Sequence, residues 1–272
     1  MKKTKLEPGW LPRRAMGLVA LGGGLLGQGL RFGMHCVSFE DNGLLRRGDW
    51  LMGTLIVLSA VILGALWVLS RAGRCSGSYT DNFPASDRNA MGEALGGALL
   101  VLGSLAAFPV ASDWMGQGAA LAMLVTGAAY VMGFNRRRSG EAPQLWRVFV
   151  PVLTWGVWLL QDFRDWTRDP HTAQYAFETL FCVFSMLGFY HREAFALGMG
   201  KARSAAILGW GAVFFALVTL PDVFYMASAL EGIRTACLCL GAAALLGPLG
   251  PVGAPMREIL EETSENSENF GE

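Results

Sequence analysis

Charged residues are scarce in this chain, and so are the residue types from which disulfides and metal sites are made. Lys, Arg, Asp and Glu make up 16% of the 272 residues, with five cysteines and three histidines. The cysteines form no Cys-x-x-Cys pair, so neither a disulfide framework nor a zinc site is predicted. No Ser/His/Asp arrangement or His-Glu-x-x-His motif indicates a catalytic centre. The sequence therefore predicts no catalytic residue, no metal and no cofactor, and it favours a function other than catalysis.

Long polar stretches are also missing, which leaves no room for a sizeable soluble domain. Apolar residues make up 53% of the chain, and the mean hydropathy is +0.37. They fall into eight stretches: 15–34, 51–69, 91–108, 118–134, 146–160, 175–190, 205–220 and 235–249. A membrane helix needs about 20 residues and satisfies its own backbone groups, and these stretches lack the alternation of barrel strands. The fold class predicted is an all-α integral membrane protein, a polytopic bundle of about eight transmembrane helices.

The basic residues fall on alternate connections between these stretches. With the N-terminus placed inside, 16 Lys and Arg lie on the inner side and 5 on the outer side, while Arg31 lies within the first stretch. An excess of Lys and Arg marks the cytoplasmic side of a membrane protein. The pattern predicts that both termini are cytoplasmic and that the protein lies in a bacterial cell membrane, with the lipid bilayer as its partner. Because the basic residues are dispersed along the membrane edge, nucleic-acid binding is not predicted.

The organisation predicted is a single bundle over residues 1–250, followed by a tail. A weak four-plus-four duplication, about 15–134 and 146–250, is suggested because the third and seventh stretches both end in a Pro and a following Asp. Chance is the alternative, since these residues are common at helix ends. Pro221 either ends the seventh helix or kinks a longer one that continues over 223–230. Residues 251–272 are acidic and predict a disordered cytoplasmic tail.

Polar residues within the stretches concentrate in their outer halves. Gln28, Arg31 and His35 share one face of the first helix, and Glu178 lies about one turn into the sixth helix from the outer side. Charges inside a membrane usually pair or face water. The sharper interpretation is an outer polar cavity that contains an Arg31–Glu178 ion pair and rests on an apolar inner half. The alternative is that these side chains reach the nearby headgroups.

Aspartates beside tryptophans mark several outer boundaries, such as Asp113-Trp114 and Asp165-Trp166. The tryptophans are explained as interfacial anchors, whereas an acidic cluster would attract cationic solutes to an outer mouth. The residues predicted to bind a substrate are Gln28, Arg31, His35, Asp113, Gln117, Asp165, Glu178 and Asp222.

The function favoured by these features is transport of a small solute or ion without an ATPase of its own. The alternative is a non-catalytic membrane sensor or a subunit of a larger membrane complex. In that case the basic inner loops, Arg136 to Arg138 especially, would bind a cytoplasmic or membrane partner protein. A continuous polar path to the inner face would favour transport, and a dense apolar inner half would favour the partner role.

Overall fold

The structure is a computed structural model that describes residues 11–39, 46, 49–71, 79–83, 85–166 and 175–247. The predicted tail, 251–272, lies outside the described residues. The helices are α1 (Leu11–Val37), α2 (Trp50–Arg71), α3 (Tyr79–Asn82), α4 (Asp87–Val110), α5 (Trp114–Met132), α6 (Phe134–Arg138), α7 (Leu145–Trp166), α8 (Ala176–Glu193), α9 (Ala202–Thr219) and α10 (Ala229–Leu246). Short 3₁₀ helices follow α8 (Ala194–Leu197) and α9 (Leu220–Tyr225).

The all-α prediction is confirmed, because the described residues form helices and no strand. Within this part of the chain eight α-helices have 18 to 27 residues, and each overlaps one predicted apolar stretch. Five segments are long and apolar enough to cross a membrane: α2, α4, α5, α10, and α9 together with its 3₁₀ extension. A total of eight spans stays a prediction.

The distribution of polarity is inverted relative to a water-soluble protein. Large apolar side chains such as Leu18 (73%), Leu26 (66%) and Val57 (62%) are exposed on the helix surfaces, whereas Arg31 and Arg137 are 1% and 4% exposed. An apolar surface of this extent indicates contact with membrane or protein. Charged side chains are costly in contact with lipid hydrocarbon, so in a membrane they are expected to be enclosed by helices.

Six of the long helices pack in a closed circuit. α4 packs on α5, α5 on α7, α7 on α8, α8 on α9, α9 on α10, and α10 returns to α4. α1 and α2 pack on each other and on α9. The helices approach closely at glycines, where the absence of a side chain lets backbones touch. A Cβ atom at Gly97 of α4 would lie 2.7 Å from the carbonyl oxygen of Gly127 in α5.

Pro221 shapes the end of the seventh long helix. The α-helix ends at Thr219, and a 3₁₀ helix with Pro221 near its start continues to Tyr225. The predicted continuation past Pro221 is therefore correct to Tyr225, but the chain then extends at Met226 and begins α10 at Ala229. The end of the bundle at which α1 and α9 finish is called the Asp222 end below. The opposite end, where α4 begins and α8 finishes, is called the Glu93 end.

Candidate functional site

Asp222 brings the first and seventh long helices together. The 3₁₀ segment turns its carboxylate toward α1, where Arg31 donates from Nε to Oδ1 at 2.8 Å and from Nη2 to Oδ2 at 3.1 Å. His35, one turn further along α1, places Nε2 at 2.6 Å from the same Oδ1. The Tyr225 ring stacks on His35 with centroids 4.0 Å apart. A two-pronged Arg–carboxylate pair has a defined geometry, so this contact fixes the end of α9 on α1.

The prediction that Arg31 forms an ion pair with Glu178 is wrong about the acidic residue. Among the described residues, the carboxylate that contacts the Arg31 guanidinium is that of Asp222. Glu178 is buried on α8 and makes no direct ion pair there, although Arg31, Asp222 and Arg234 are near enough for their charges to act on it. The physical reason is the 3₁₀ turn, which returns Asp222 toward α1 and gives Arg31 a closer carboxylate.

A polar cavity of about 210 Å³ opens at the same end of the bundle, between α4, α5, α7 and α10. Its polar lining consists of Ser112, Asp113, Trp158, Gln161, Arg164, Glu231 and Arg234. Asp113 and Arg164 form an ion pair, and each of the two side chains is 31% exposed. The cavity therefore reaches the surface at this pair.

Asp113 has two structural tasks at the rim of the cavity. Its Oδ1 accepts a hydrogen bond from the Gly116 N–H at 3.0 Å and so caps the start of α5. Its Oδ2 accepts from the Arg164 guanidinium of α7. The hydrogen bond from Arg164, with help from the Gly116 N–H, lowers the pKa of Asp113 below its ordinary value. The carboxylate is thus held in its charged form and committed to protein partners.

Three other polar groups of the lining have no such partners. Arg234 Nε, Trp158 Nε1 and Gln161 Oε1 are buried without a hydrogen-bond partner in the part of the chain that the structure describes. The Arg234 guanidinium lies over the Trp158 ring, 5.2 Å from its centroid. Glu231, one turn before Arg234 on α10, has a carboxylate that makes no ion pair with any described residue. The side chains that line the cavity therefore include donors, an acceptor and two opposite charges that make no direct ion pair with a described residue, although the charge of Arg234 also acts on the buried Glu178.

The residues predicted from the sequence are only partly brought together. Arg31, His35 and Asp222 form one cluster, Glu178 lies near it, and Asp113 lines the cavity. Gln117 is exposed on α5, and Gln28 is half-buried on α1, which is not among the helices that enclose the cavity. The side chain of Asp165 lies outside the described residues.

The sequence singled out none of Trp158, Gln161, Arg164 or Arg234 as binding residues. Trp158 and Gln161 are one turn apart on α7, and Glu231 and Arg234 are one turn apart on α10. Each pair marks a polar helix face. That signal was available, but it becomes specific only when α7 and α10 are known to enclose the same cavity.

At the Glu93 end, which the predicted topology places inside, the structure holds a buried charged cluster where the sequence favoured a mainly apolar interior. Glu93 Oε1 accepts from Arg137 Nε and from Arg192 Nη2, each at 2.7 Å. Arg137 also donates to the Phe83 carbonyl at 3.0 Å, and Arg192 donates to the Leu245 carbonyl. The Tyr130 hydroxyl donates to Glu193 at 2.8 Å. The cluster joins α4, α5, α6, α8 and α10, and the cavity beside it measures only about 50 Å³.

Polar groups are sparser between the two ends. Thr126 of α5 and Thr154 of α7 share a hydrogen bond of 2.7 Å, and the Cys182 thiol contacts Asp162 at 3.6 Å. Trp155 Nε1 and Ser185 Oγ are buried there without a hydrogen-bond partner among the described residues. The interior of the helix circuit thus contains polar groups between its two ends as well.

Two further findings bear on chemistry and relationship. The described residues contain no group of three His, Cys, Asp or Glu side chains that could hold a metal ion. Neither a protein-family model, nor a curated protein, nor a solved structure matches this chain.

Proposed function

We propose that this chain is a multi-pass protein of the bacterial cell membrane that transports a small polar solute and has no ATPase of its own. In this proposal all eight long helices cross the bilayer and both termini are cytoplasmic. The 16-to-5 distribution of basic residues supports the orientation. The exposed apolar helix surfaces support the membrane setting.

The observation that carries the transport proposal is the polar cavity at the Asp222 end. A buried polar group without a hydrogen bond is costly, and native structures retain few of them. Three such atoms belong to Trp158, Gln161 and Arg234, whose side chains line one cavity that reaches the surface. A polar solute bound among these side chains would give them hydrogen-bond partners, and this supports solute binding as the reason for their placement.

The Glu93 end supports the same proposal from the other side. A carrier exposes its site to one side of the membrane while the other side is closed. In the proposed orientation the cavity faces outward, and the paired Glu93, Arg137 and Arg192 side chains close the inner side. Transport then requires these pairs to rearrange as the cavity closes.

Uptake into liposomes tests the proposal. The purified chain, reconstituted in liposomes, should take up at least one labelled member of a panel of small amino acids, carboxylates and amines. Arg234→Gln should reduce uptake by about tenfold or more, because a charged hydrogen-bond donor to the solute is lost. Arg203→Gln, at an exposed arginine on α9, is the matched control and should leave uptake unchanged. No uptake of any member above protein-free liposomes would refute transport of a small polar solute.

The orientation has a separate test. In a background without native cysteines, Trp114→Cys and Arg138→Cys place exposed thiols at opposite ends of the bundle. In intact cells an impermeant thiol reagent should label the cysteine at 114 and leave the one at 138 unlabelled. Labelling of both from outside would contradict the topology.

The alternative role, a non-catalytic membrane sensor or subunit, rests on the exposed Arg136 and Arg138 at the Glu93 end. It predicts an interaction with a cytoplasmic or membrane partner that is lost when both arginines become glutamine, together with absence of uptake. Uptake that survives this double substitution favours the transporter.

A further inference from the structure

The solute class can be inferred from the charges that line the cavity at the Asp222 end, an inference that rests on the proposed transport function. Two acidic and two basic side chains are among those that line the cavity, but the two pairs of opposite charge are not equivalent. Asp113 and Arg164 neutralise each other at the rim. Arg234 and Glu231 carry opposite charges, and neither makes an ion pair with a described residue. One positive and one negative group without a direct ion pair to a described residue therefore line the cavity, with the buried Glu178 as a further carboxylate whose charge acts on Arg234.

The positive side of the cavity is built for a carboxylate. Arg234 and Trp158 both line the same space, and their N–H donors Nε and Nε1 both lack a partner among the described residues. The cation–π contact of 5.2 Å between the Arg234 guanidinium and the Trp158 ring holds the two donors together. Charged N–H donors to an oxyanion make strong and directional hydrogen bonds.

The negative side offers acceptors. Glu231 and Gln161 line the cavity from α10 and α7, and Gln161 Oε1 has no hydrogen-bond donor in the described part of the chain. An ammonium group has three donors and no acceptor, so it fits a carboxylate and an amide oxygen. Residues of α7 and α10 thus form both the positive and the negative side of the cavity.

The volume limits the size of the solute. The cavity has a volume of about 210 Å³. This is smaller than the cavities of about 300–1,000 Å³ that hold drug-sized ligands. We infer that the cavity binds a small zwitterion of the size of a simple amino acid, with its carboxylate at Arg234 and Trp158 and its ammonium at Glu231 and Gln161.

Three molecules of nearly the same shape test this assignment. L-alanine has both charged groups, propionate lacks the ammonium, and ethylamine lacks the carboxylate. Isothermal titration of the full chain in detergent should show binding of L-alanine, and binding of propionate and ethylamine that is weaker by about tenfold or more, as each loses one charge-assisted contact. Glu231→Gln should weaken L-alanine binding by about the same factor and leave propionate unchanged. Arg234→Gln should remove both.

Controls separate a failed site from a misfolded chain. Glu141→Gln and Arg203→Gln alter exposed charges elsewhere and should bind L-alanine as the unmodified chain does. Glu231 is half-buried in the first turn of α10, so its glutamine variant should elute from a sizing column as the unmodified chain does.

The outcomes distinguish the two proposals. Equal binding of propionate and L-alanine that Arg234→Gln abolishes would overturn the zwitterion and leave a carrier of anions. Binding of L-alanine that is insensitive to both substitutions would overturn the site. Failure of all three molecules to bind, with uptake of another solute into liposomes, would overturn the solute class alone. Failure of binding together with absence of any uptake would overturn the transport function as well.

Discussion

The charged clusters at the two ends of the bundle differ in how completely their groups are partnered, although Arg147 Nε at the Glu93 end is also buried without a partner among the described residues. At the Glu93 end, one carboxylate oxygen is shared by two arginines, both arginines also donate to backbone carbonyls, and little space is left. At the Asp222 end, an ion pair between Arg31 and Asp222 lies at the same end as a larger cavity whose Arg234, Trp158 and Gln161 keep atoms without partners. Charge pairs that are complete hold helices together, whereas incomplete ones are available to a ligand.

The difference has a thermodynamic consequence. A buried charge that loses its partner keeps its desolvation cost without the compensating attraction, so breaking a complete cluster is expensive. A group that already lacks a hydrogen-bond partner has fewer contacts to lose within the protein, so its removal should affect ligand binding more than stability. Substitutions at the Glu93 end should therefore act on stability, and those in the cavity should act on binding.

The largest effect is expected from Glu93→Gln. The substitution keeps the size of the side chain but leaves the buried Arg137 and Arg192 without their shared carboxylate, at a cost of about 3–5 kcal/mol. Thermal and chemical unfolding in detergent would measure it. Glu141→Gln is the control, since this exposed glutamate borders the same small cavity and should change stability by less than about 0.5 kcal/mol. Equal effects of the two substitutions would show that the Glu93 cluster does not hold this end closed.

A smaller effect is expected at the Asp222 end, where a mutant cycle can identify the partner of Arg31. Arg31→Ala removes charged hydrogen bonds to Asp222 that are worth about 1.5–3 kcal/mol, less than at Glu93 because Asp222 keeps His35. Asp222→Ala should cost more than this, because it leaves the buried Arg31 guanidinium without its carboxylate, and the double variant should cost much less than the sum of the two. The cycle of Arg31 with Glu178→Gln should be closer to additive, because these two residues make no direct ion pair. Strong coupling of Arg31 to Glu178 and not to Asp222 would reverse the assignment.

The positions of the helices could be predicted from the sequence, and their contacts could not. Each long helix overlaps an apolar stretch, since hydrophobicity is a local property of the chain. The partner of Arg31 depends on a 3₁₀ turn that Pro221 signals but whose direction it does not determine. Asp113 and Gln117 lie one turn apart, yet one lines the cavity and the other is exposed, because the rotation of α5 depends on its neighbours.

The Glu93 cluster was missed for a different reason. Arg137 and Arg192 were assigned to basic inner connections, where a charge explains the topology and needs no partner. In the structure the short helix α6 turns Arg137 inward, and Arg192 lies in the last turn of α8 facing Glu93. Once a charged residue has been explained by the side of the membrane on which it lies, it is no longer considered as a member of a buried ion pair.

The smallest effect is expected at the exposed pair of Arg138 and Asp87, next to the buried cluster. Arg137 and Arg138 are neighbours in α6 and both contact a carboxylate of α4 at 2.7 Å, but Arg138 and Asp87 are 59% and 72% exposed. Exposed pairs contribute about 0.2–1 kcal/mol because water screens the charges and replaces the contact. Arg138→Gln should therefore shift the unfolding transition slightly and less at higher salt, whereas Arg137→Gln should cost several times more and respond little to salt. Equal losses for these adjacent arginines would mean that burial does not distinguish them.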